Sequence, residues 1–430
     1  MTKTFLGGLA FGALALGLAC SSTDNPVRYA QVRVVHASPD APAVDAYAGS
    51  VSLAKGAGFK AATAFVPVPD GTTTFTFNAA GTRTTALTAS ADLKGGYAYT
   101  VLAVGRLASL QALIVPDDGA APGQGNVKVR VVHAAPAAPA VDVYVTAPGA
   151  SLATATPAVA GAAFKAYSPA LEVPAAAYQI RITAAGSRTP VYDSGSVTLT
   201  AGSDLVLAAV QQDLGAAPVT LLALSRDPAH PAAEIPDNRA LVRAIHASPD
   251  APAVDVLVNG QTALNGVAYP QASTYLPVTS GTAAVQLNLA GTATQVIGAS
   301  LPLSATQAYS VFAVNRVSGL QLLPVADDLT PPPAGKAKLR AIHLSPDAPN
   351  VDVWVGGAKV LTDVPFKAAS PYLLVPAGAT QVQIAVTGTT TVVLQGTPTL
   401  ADGGIYTAAA IGTVSALPAA PLTLDLLRDK

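Results

Sequence analysis

Apolar and polar residues alternate in short bursts along most of the chain, and the bursts end on Gly, Pro, Asn or Asp. In residues 72–77 (TTTFTF) and 84–91 (TTALTASA) the period is two, the spacing that places alternate side chains of a strand on one face. No segment sustains apolar positions at the helical period of about 3.6. Over the first hundred or so residues the pattern predicts strands at Val32–Val35, Val44–Tyr47, Ala64–Val68, Thr72–Phe77, Thr84–Ala91, Tyr99–Val104 and Leu110–Val115. About seven short strands broken by turn residues are the profile of an immunoglobulin-like antiparallel β-sandwich. Gly81 sits in the turn before residue 84, where a hairpin needs positive φ, and Gly186 and Gly291 hold the matching places further on.

That pattern occurs four times. HASPDAPAVD at residues 36–45 returns unchanged at 246–255, as HAAPAAPAVD at 133–142 and as HLSPDAPNVD at 343–352. The four histidines are spaced by 97, 113 and 97 residues, too long for a solenoid repeat and right for whole domains. The expected organisation is all-β, with four tandem immunoglobulin-like antiparallel sandwiches at residues 31–118, 126–227, 239–328 and 336–430. The Pro- and Gly-rich segments 116–126, 226–238 and 327–336 read as linkers. Modules set end to end would reach on the order of 100 Å.

Composition narrows the function classes. Charged residues are 11% of the 430 and the formal net charge is −1. No Lys/Arg cluster is present to displace counterions, so nucleic acid is not an expected partner. Hydrophobic residues at 50% supply several cores.

The amino terminus carries Lys3, an apolar run from Phe5 to Ala19, and small residues before Cys20, the one cysteine. Residues 1–20 read as a signal peptide, too short to remain as a membrane span. Cys20 resembles the acylated cysteine of a bacterial lipobox, with Leu16 four places upstream rather than three. A lone exported cysteine has no disulfide partner in its own chain, and acylation accounts for it. Ser21 follows, which fits sorting to an outer membrane, and residues 21–30 read as a polar tether.

Within the recurring motif an arginine lies three residues before each histidine and an aspartate nine after it. The sets are Arg33, His36, Asp45; Arg130, His133, Asp142; Arg243, His246, Asp255; and Arg340, His343, Asp352. Alternation puts His36 on the face of Val32 and Val34, with Arg33 on the opposite face. If the strands flanking the Pro turn pair, Arg33 and Asp45 stand opposite one another as a cross-strand ion pair. One histidine per module falls short of a zinc site. A Ser38–His36–Asp45 triad is disfavoured because Ser38 and His36 lie on one strand and the second copy has Ala135 in place of the serine. The motif therefore reads as structural, with each histidine bonded to the Pro-turn backbone. Tyr99, Tyr309 and Tyr406 open the penultimate strand of three copies and suggest a tyrosine corner; Leu205 replaces them in the second. The acidic pairs Asp117/Asp118 and Asp327/Asp328, and His230, read as solvated linker residues.

The V-R-x-x-H-x-S-P-D-A-P-x-V-D-V signature, as in Val242 to Val256, resembles the bacterial domain of unknown function 4397, in four copies over about residues 31–430. The resemblance implies secreted or surface proteins with immunoglobulin-like modules, and brings no catalytic residues. The expectation is a non-enzymatic protein without cofactor or metal, exported to the cell envelope and held at the outer membrane or cell surface through its lipid. Its modules would serve as a stalk or as an adhesion surface for an extracellular protein or glycan. An array of carbohydrate- or polymer-binding modules is the alternative, disfavoured by 5% aromatics and a single Trp.

Overall fold

In the first module eight strands form two four-stranded sheets. They are β1 (Tyr29–His36), β2 (Val44–Ala48), β3 (Val51–Ala57), β4 (Val66–Pro69), β5 (Gly71–Ala79), β6 (Thr85–Leu93), β7 (Ala98–Val104) and β8 (Gln111–Asp117). The computed structural model describes residues 27–212, 217–415 and 420–430, so the signal segment and Cys20 lie outside the described residues. One sheet has the order β4-β1-β7-β8 and the other β3-β2-β5-β6. Every pairing is antiparallel except β1 with β7, which run parallel. The other three modules repeat this arrangement. A fifth strand, Ala232–Ile235, is added to the first sheet of the second module, so the segment expected to be its linker extends that sheet.

The two sheets enclose a core of Val32, Val34, Val44, Phe75, Phe77 and Val101. Two expectations fail here. The segment Val51–Ala57 was not expected as a strand: Lys55 and Gly56 interrupt its alternation, and a bulge breaks its register against β2. The strands flanking the Pro turn do not pair either. β1 bonds β4 and β7, whereas β2 bonds β3 and β5. The turn is a crossing from one sheet to the other, so Arg33 and Asp45 belong to different layers and form no cross-strand pair.

The modules are not four beads on a string. The outward face of the β4-β1-β7-β8 sheet is apolar as well. Val35, Leu102, Val104 and Val115 pack in one cluster with Val132, Val206, Val210 and Leu222 of the second module. Ile245, Phe312 and Val314 of the third module do the same with Ile342, Ala409 and Ile411 of the fourth. Modules one and two, and modules three and four, thus join sheet to sheet as four-layer units, and a stalk built by setting all four end to end is excluded. A strand buried on both faces reads as a continuous apolar run, as AYTVLAV does in β7.

Candidate functional site

Each signature residue has a defined structural partner; the histidine's recurs in all four copies, while those of the arginine and aspartate vary between copies. The histidine ends β1 on the core face. His36 Nε2 lies 2.9 Å from the Pro42 carbonyl oxygen, and the equivalent distances for His133, His246 and His343 to Pro139, Pro252 and Pro349 are 3.0, 3.1 and 3.1 Å. A carbonyl only accepts, so Nε2 carries the proton and donates it. Each imidazole also meets an aromatic ring edge-on at 6.3 Å: Phe59, Phe164, Tyr269 or Phe366. Burial pulls the pKa of His133, His246 and His343 down and keeps them neutral. The expected bond to the Pro-turn backbone is therefore present in all four modules.

The aspartate on β2 joins two turns of the second sheet. Asp45 accepts from the Gly56 amide at 2.7 Å and the Gly81 amide at 3.0 Å. Asp142 does the same with Gly161 and Gly186, and Asp255 with Gly266 and Gly291. Gly56 stands at φ +60°, in the left-handed region, where glycine is least strained. In the fourth module Asp363 holds this place at φ +57° and donates to Asp352 at 2.9 Å. Those amides hold the pKa of Asp45 below the usual carboxylate range. Asp352 is held at about 2, first by the bond from Lys359 Nζ at 2.7 Å and then by the Asp363 amide.

Ser38 Oγ points to Asp40 at 3.5 Å, away from His36, so no nucleophile–base–acid relay is assembled. Asp40 in turn accepts from the Leu107 amide at 2.8 Å and caps the loop after β7; Asp250 and Asp347 do likewise with Val317 and Val414. In the second module, where Ala137 stands in place of the aspartate, the Ala137 amide instead donates to Gln211 Oε1 at 3.1 Å. Among the described residues no group of three or more His, Cys, Asp and Glu is arranged to hold a metal ion.

The arginine has the role that spacing did not disclose. Arg33 is buried on the outward face of β1. It donates to Thr100 Oγ1 within its own sheet at 2.9 Å and to the Ser225 carbonyl of the second module at 2.5 Å. Arg130 returns the contact, donating to the Pro116 carbonyl of the first module at 2.6 Å. In the second pair Arg243 reaches the Arg428 carbonyl and the Asp429 carboxylate, and Arg340 reaches the Ala326 carbonyl and the Asp327 carboxylate. Tyr275 Oη donates to Asp327 at 2.5 Å and Tyr372 Oη to Asp429 at 2.7 Å. The two rings also lie under the guanidinium groups, Arg243 at 4.9 Å and Arg340 at 4.8 Å from their centres. Two arginines and two aspartates, all buried, thus close a neutral network across the third and fourth modules.

The first pair is wired differently. Phe65 replaces the tyrosine under Arg33, and Arg226 lies above the same ring. Burial and then the nearby Arg226 charge lower the Arg33 pKa to about 10, so it stays charged at neutral pH. Asp117 bonds Lys128 at 2.9 Å and Arg226 at 3.2 Å. Burial would raise its pKa, but the Lys128 and Gly119 bonds prevail and hold it at about 2. The leading member of each acidic pair, Asp117 or Asp327, is therefore a partly or fully buried counter-ion at the module interface and not a solvated linker residue. Asp118 and His230 are exposed.

Tyrosine corners are present where expected. The Tyr99, Tyr309 and Tyr406 hydroxyls accept from the amides of Lys94, Ser304 and Ala401 at 2.9, 3.1 and 3.0 Å.

The family profile described as "Domain of unknown function (DUF4397)" matches residues 30–144, 240–354 and 337–430. The chain belongs to this family. Two of the matched segments begin in the first strand of one module and run through the arginine, histidine and aspartate of the next, so they contain both signature sets of a pair. No curated protein matches the chain. Among solved structures, the Bacillus anthracis TIE protein is similar over 90% of this chain and 72% of its own, at 9% identity and a TM-score of 0.17, too low to carry any argument.

Proposed function

We propose that this DUF4397 chain is an exported, lipid-anchored protein of the cell envelope whose paired β-sandwiches form a stiff stalk and present an interaction surface to an extracellular partner, without catalysis. One observation carries the proposal: in every module the recurring arginine, histidine and aspartate are engaged in holding turns and neighbouring modules together. Cohesion between modules is what a stiff spacer needs. The junction between the two pairs adds to it. Arg239 at the start of the third module bonds Asp237 at 2.8 Å and the Pro190 carbonyl of the second module at 2.9 Å. A glycan-binding array has less behind it, because the ring of Trp354 is covered by Lys359 Nζ at 4.6 Å.

The anchor rests on Cys20 and its signal-like flanks. Mass spectrometry of the mature amino terminus, with fractionation of cells carrying the native chain or Cys20→Ala, tests it. The expected result is a diacyl or triacyl mass on Cys20 and release of the variant from membranes. An unmodified terminus on a soluble native protein would overturn the anchor.

A further inference from the structure

The third module has an opening that the first module has closed. In the first, Val32 and Val34 on the central strand β1 are 0% and 1% exposed. Their counterparts 210 residues on, Val242 and Ala244, are only half-buried. The cause is in the sequence. Phe75 and Phe77 are replaced by Val285 and Leu287, and Val34 by Ala244. Leu53, which closes the sandwich edge in the first module, is replaced by the exposed Ala263. Val256, Val258 and Leu264 are larger than the alanines they replace, and all three line the opening. The result is a cavity of about 390 Å³ between the two edge strands Gln261–Val267 and Leu276–Thr279. It shares Val242, Ala244, Val256 and Val258 with a narrow apolar cavity of about 40 Å³ deeper in the core. Native cores are normally close-packed, so an opening onto a central strand is a departure that calls for an occupant.

We infer that the third module binds one hydrocarbon chain of an uncharged amphiphile in this slot. The volume lies within the range of small-molecule sites, about 300–1,000 Å³. Apolar cavities of about 150 Å³ already bind small hydrocarbons in water. The lining carries no charged side chain, so an ionised group entering it would be left without a partner. Asn259, Gln261, Thr262 and Thr279 supply neutral hydrogen-bonding groups among the lining residues, which suit a hydroxyl or amide head. The deeper cavity continues the slot toward the core through the shared residues Val242, Ala244, Val256 and Val258. This site is independent of the anchor and of the stalk reading.

Isothermal titration calorimetry of the full chain with 1-octanol tests the proposal. The expected result is saturable one-to-one binding with a negative heat-capacity change, the mark of apolar burial. Ala263→Leu restores the residue that closes the first module, and Val285→Phe restores its aromatic filling; each should weaken binding at least tenfold. Ala263 is exposed on an edge strand, so its variant keeps the test open should Val285→Phe disturb folding. Absence of saturable binding to the native chain, or unchanged affinity in a folded Ala263→Leu variant, would overturn the inference.

Discussion

Removing one guanidinium from the second module pair isolates the contribution of the signature arginine. In Arg340→Ala the Asp327 carboxylate stays fully buried and keeps only Tyr275 Oη, at 2.5 Å, and Ser310 Oγ, at 2.7 Å. Arg340 also supplies bonds to the Thr407 hydroxyl at 2.8 Å and the Ala326 carbonyl at 2.9 Å. Breaking a buried ion pair from one side costs about 3–5 kcal/mol, because the remaining charge has lost its counter-ion in a low-dielectric site. For a cooperative unit of 150–250 residues that corresponds to a thermal midpoint lower by about 6–20 °C. Trp354, the single tryptophan, lies on the Val351–Val355 strand of the fourth module, so urea unfolding followed by its fluorescence reports on this pair. Arg243→Ala should cost about the same, since Asp429 and Tyr372 mirror Asp327 and Tyr275. Arg130→Ala should cost less, about 1–2 kcal/mol, because its cross-module partner is the neutral Pro116 carbonyl. In a cycle of Arg340→Ala with Asp327→Ala the two costs should fall short of additivity by more than about 1 kcal/mol. A cost for Arg340→Ala below about 1 kcal/mol, or simple additivity, would refute the reasoning that these residues clasp the modules.

Two further predictions concern the second sheet and pH. Asp142→Ala deprives the Gly161 and Gly186 amides of their acceptor and should cost about 1–3 kcal/mol in urea unfolding, with Asp142→Asn recovering part of it; an Ala variant as stable as the native chain would refute the tie. Acid should weaken the fold in two windows. The folded-state pKa of His133, His246 and His343 is lowered, so the unfolded chain binds protons first. Their contribution is complete above the ordinary value of about 6.5 and declines as pH falls through it. Asp117 and Asp347, held at about 2, contribute above the ordinary value of about 4 and lose that contribution as pH falls toward 2. Thermal midpoints measured from pH 8 to pH 2 check both, and a flat midpoint between pH 7 and pH 5 would contradict the histidine window.

The histidine, the tyrosines and the turn glycines were legible in the sequence because their partners are near in the chain. Pro42 is six residues from His36, Lys94 is five from Tyr99, and Gly81 needs only its own φ of +72°. The face of Arg33 was legible too, by alternation with Val32 and Val34. Its partner was not: Ser225 lies 192 residues away, and spacing within one module says nothing about contacts between modules. The division of β1 and β2 between sheets was hidden for a related reason. A Pro-rich loop flanked by two strands serves a hairpin and a sheet-to-sheet crossing equally well, and only the pairing of β1 with β7 decides. One signal did bear on the interface. LVLAAV at residues 205–210 and VLAV at 101–104 do not alternate, which marks strands covered on both faces.

That doubly apolar sheet explains why the modules come in pairs. A lone module would leave the outward face of its β4-β1-β7-β8 sheet in water, with Val35, Leu102 and Val104 uncovered, and would leave Arg33 without its carbonyl partner. Covering that face with the same face of another copy satisfies both at once. The contact is then self-complementary: the first module's arginine meets the end of the Val219–Leu224 strand of the second, and the second's arginine meets the end of β8 in the first. A self-complementary contact closes at two, so neither pair offers this face to a further module. The Ala232–Ile235 strand, bonded to the edge strand Val219–Leu224, covers a sheet edge that would otherwise be open to pairing. In this chain the recurring signature therefore serves the pairing of sheets as much as the folding of one sandwich, and two of the segments matched by the family run from one module into the next.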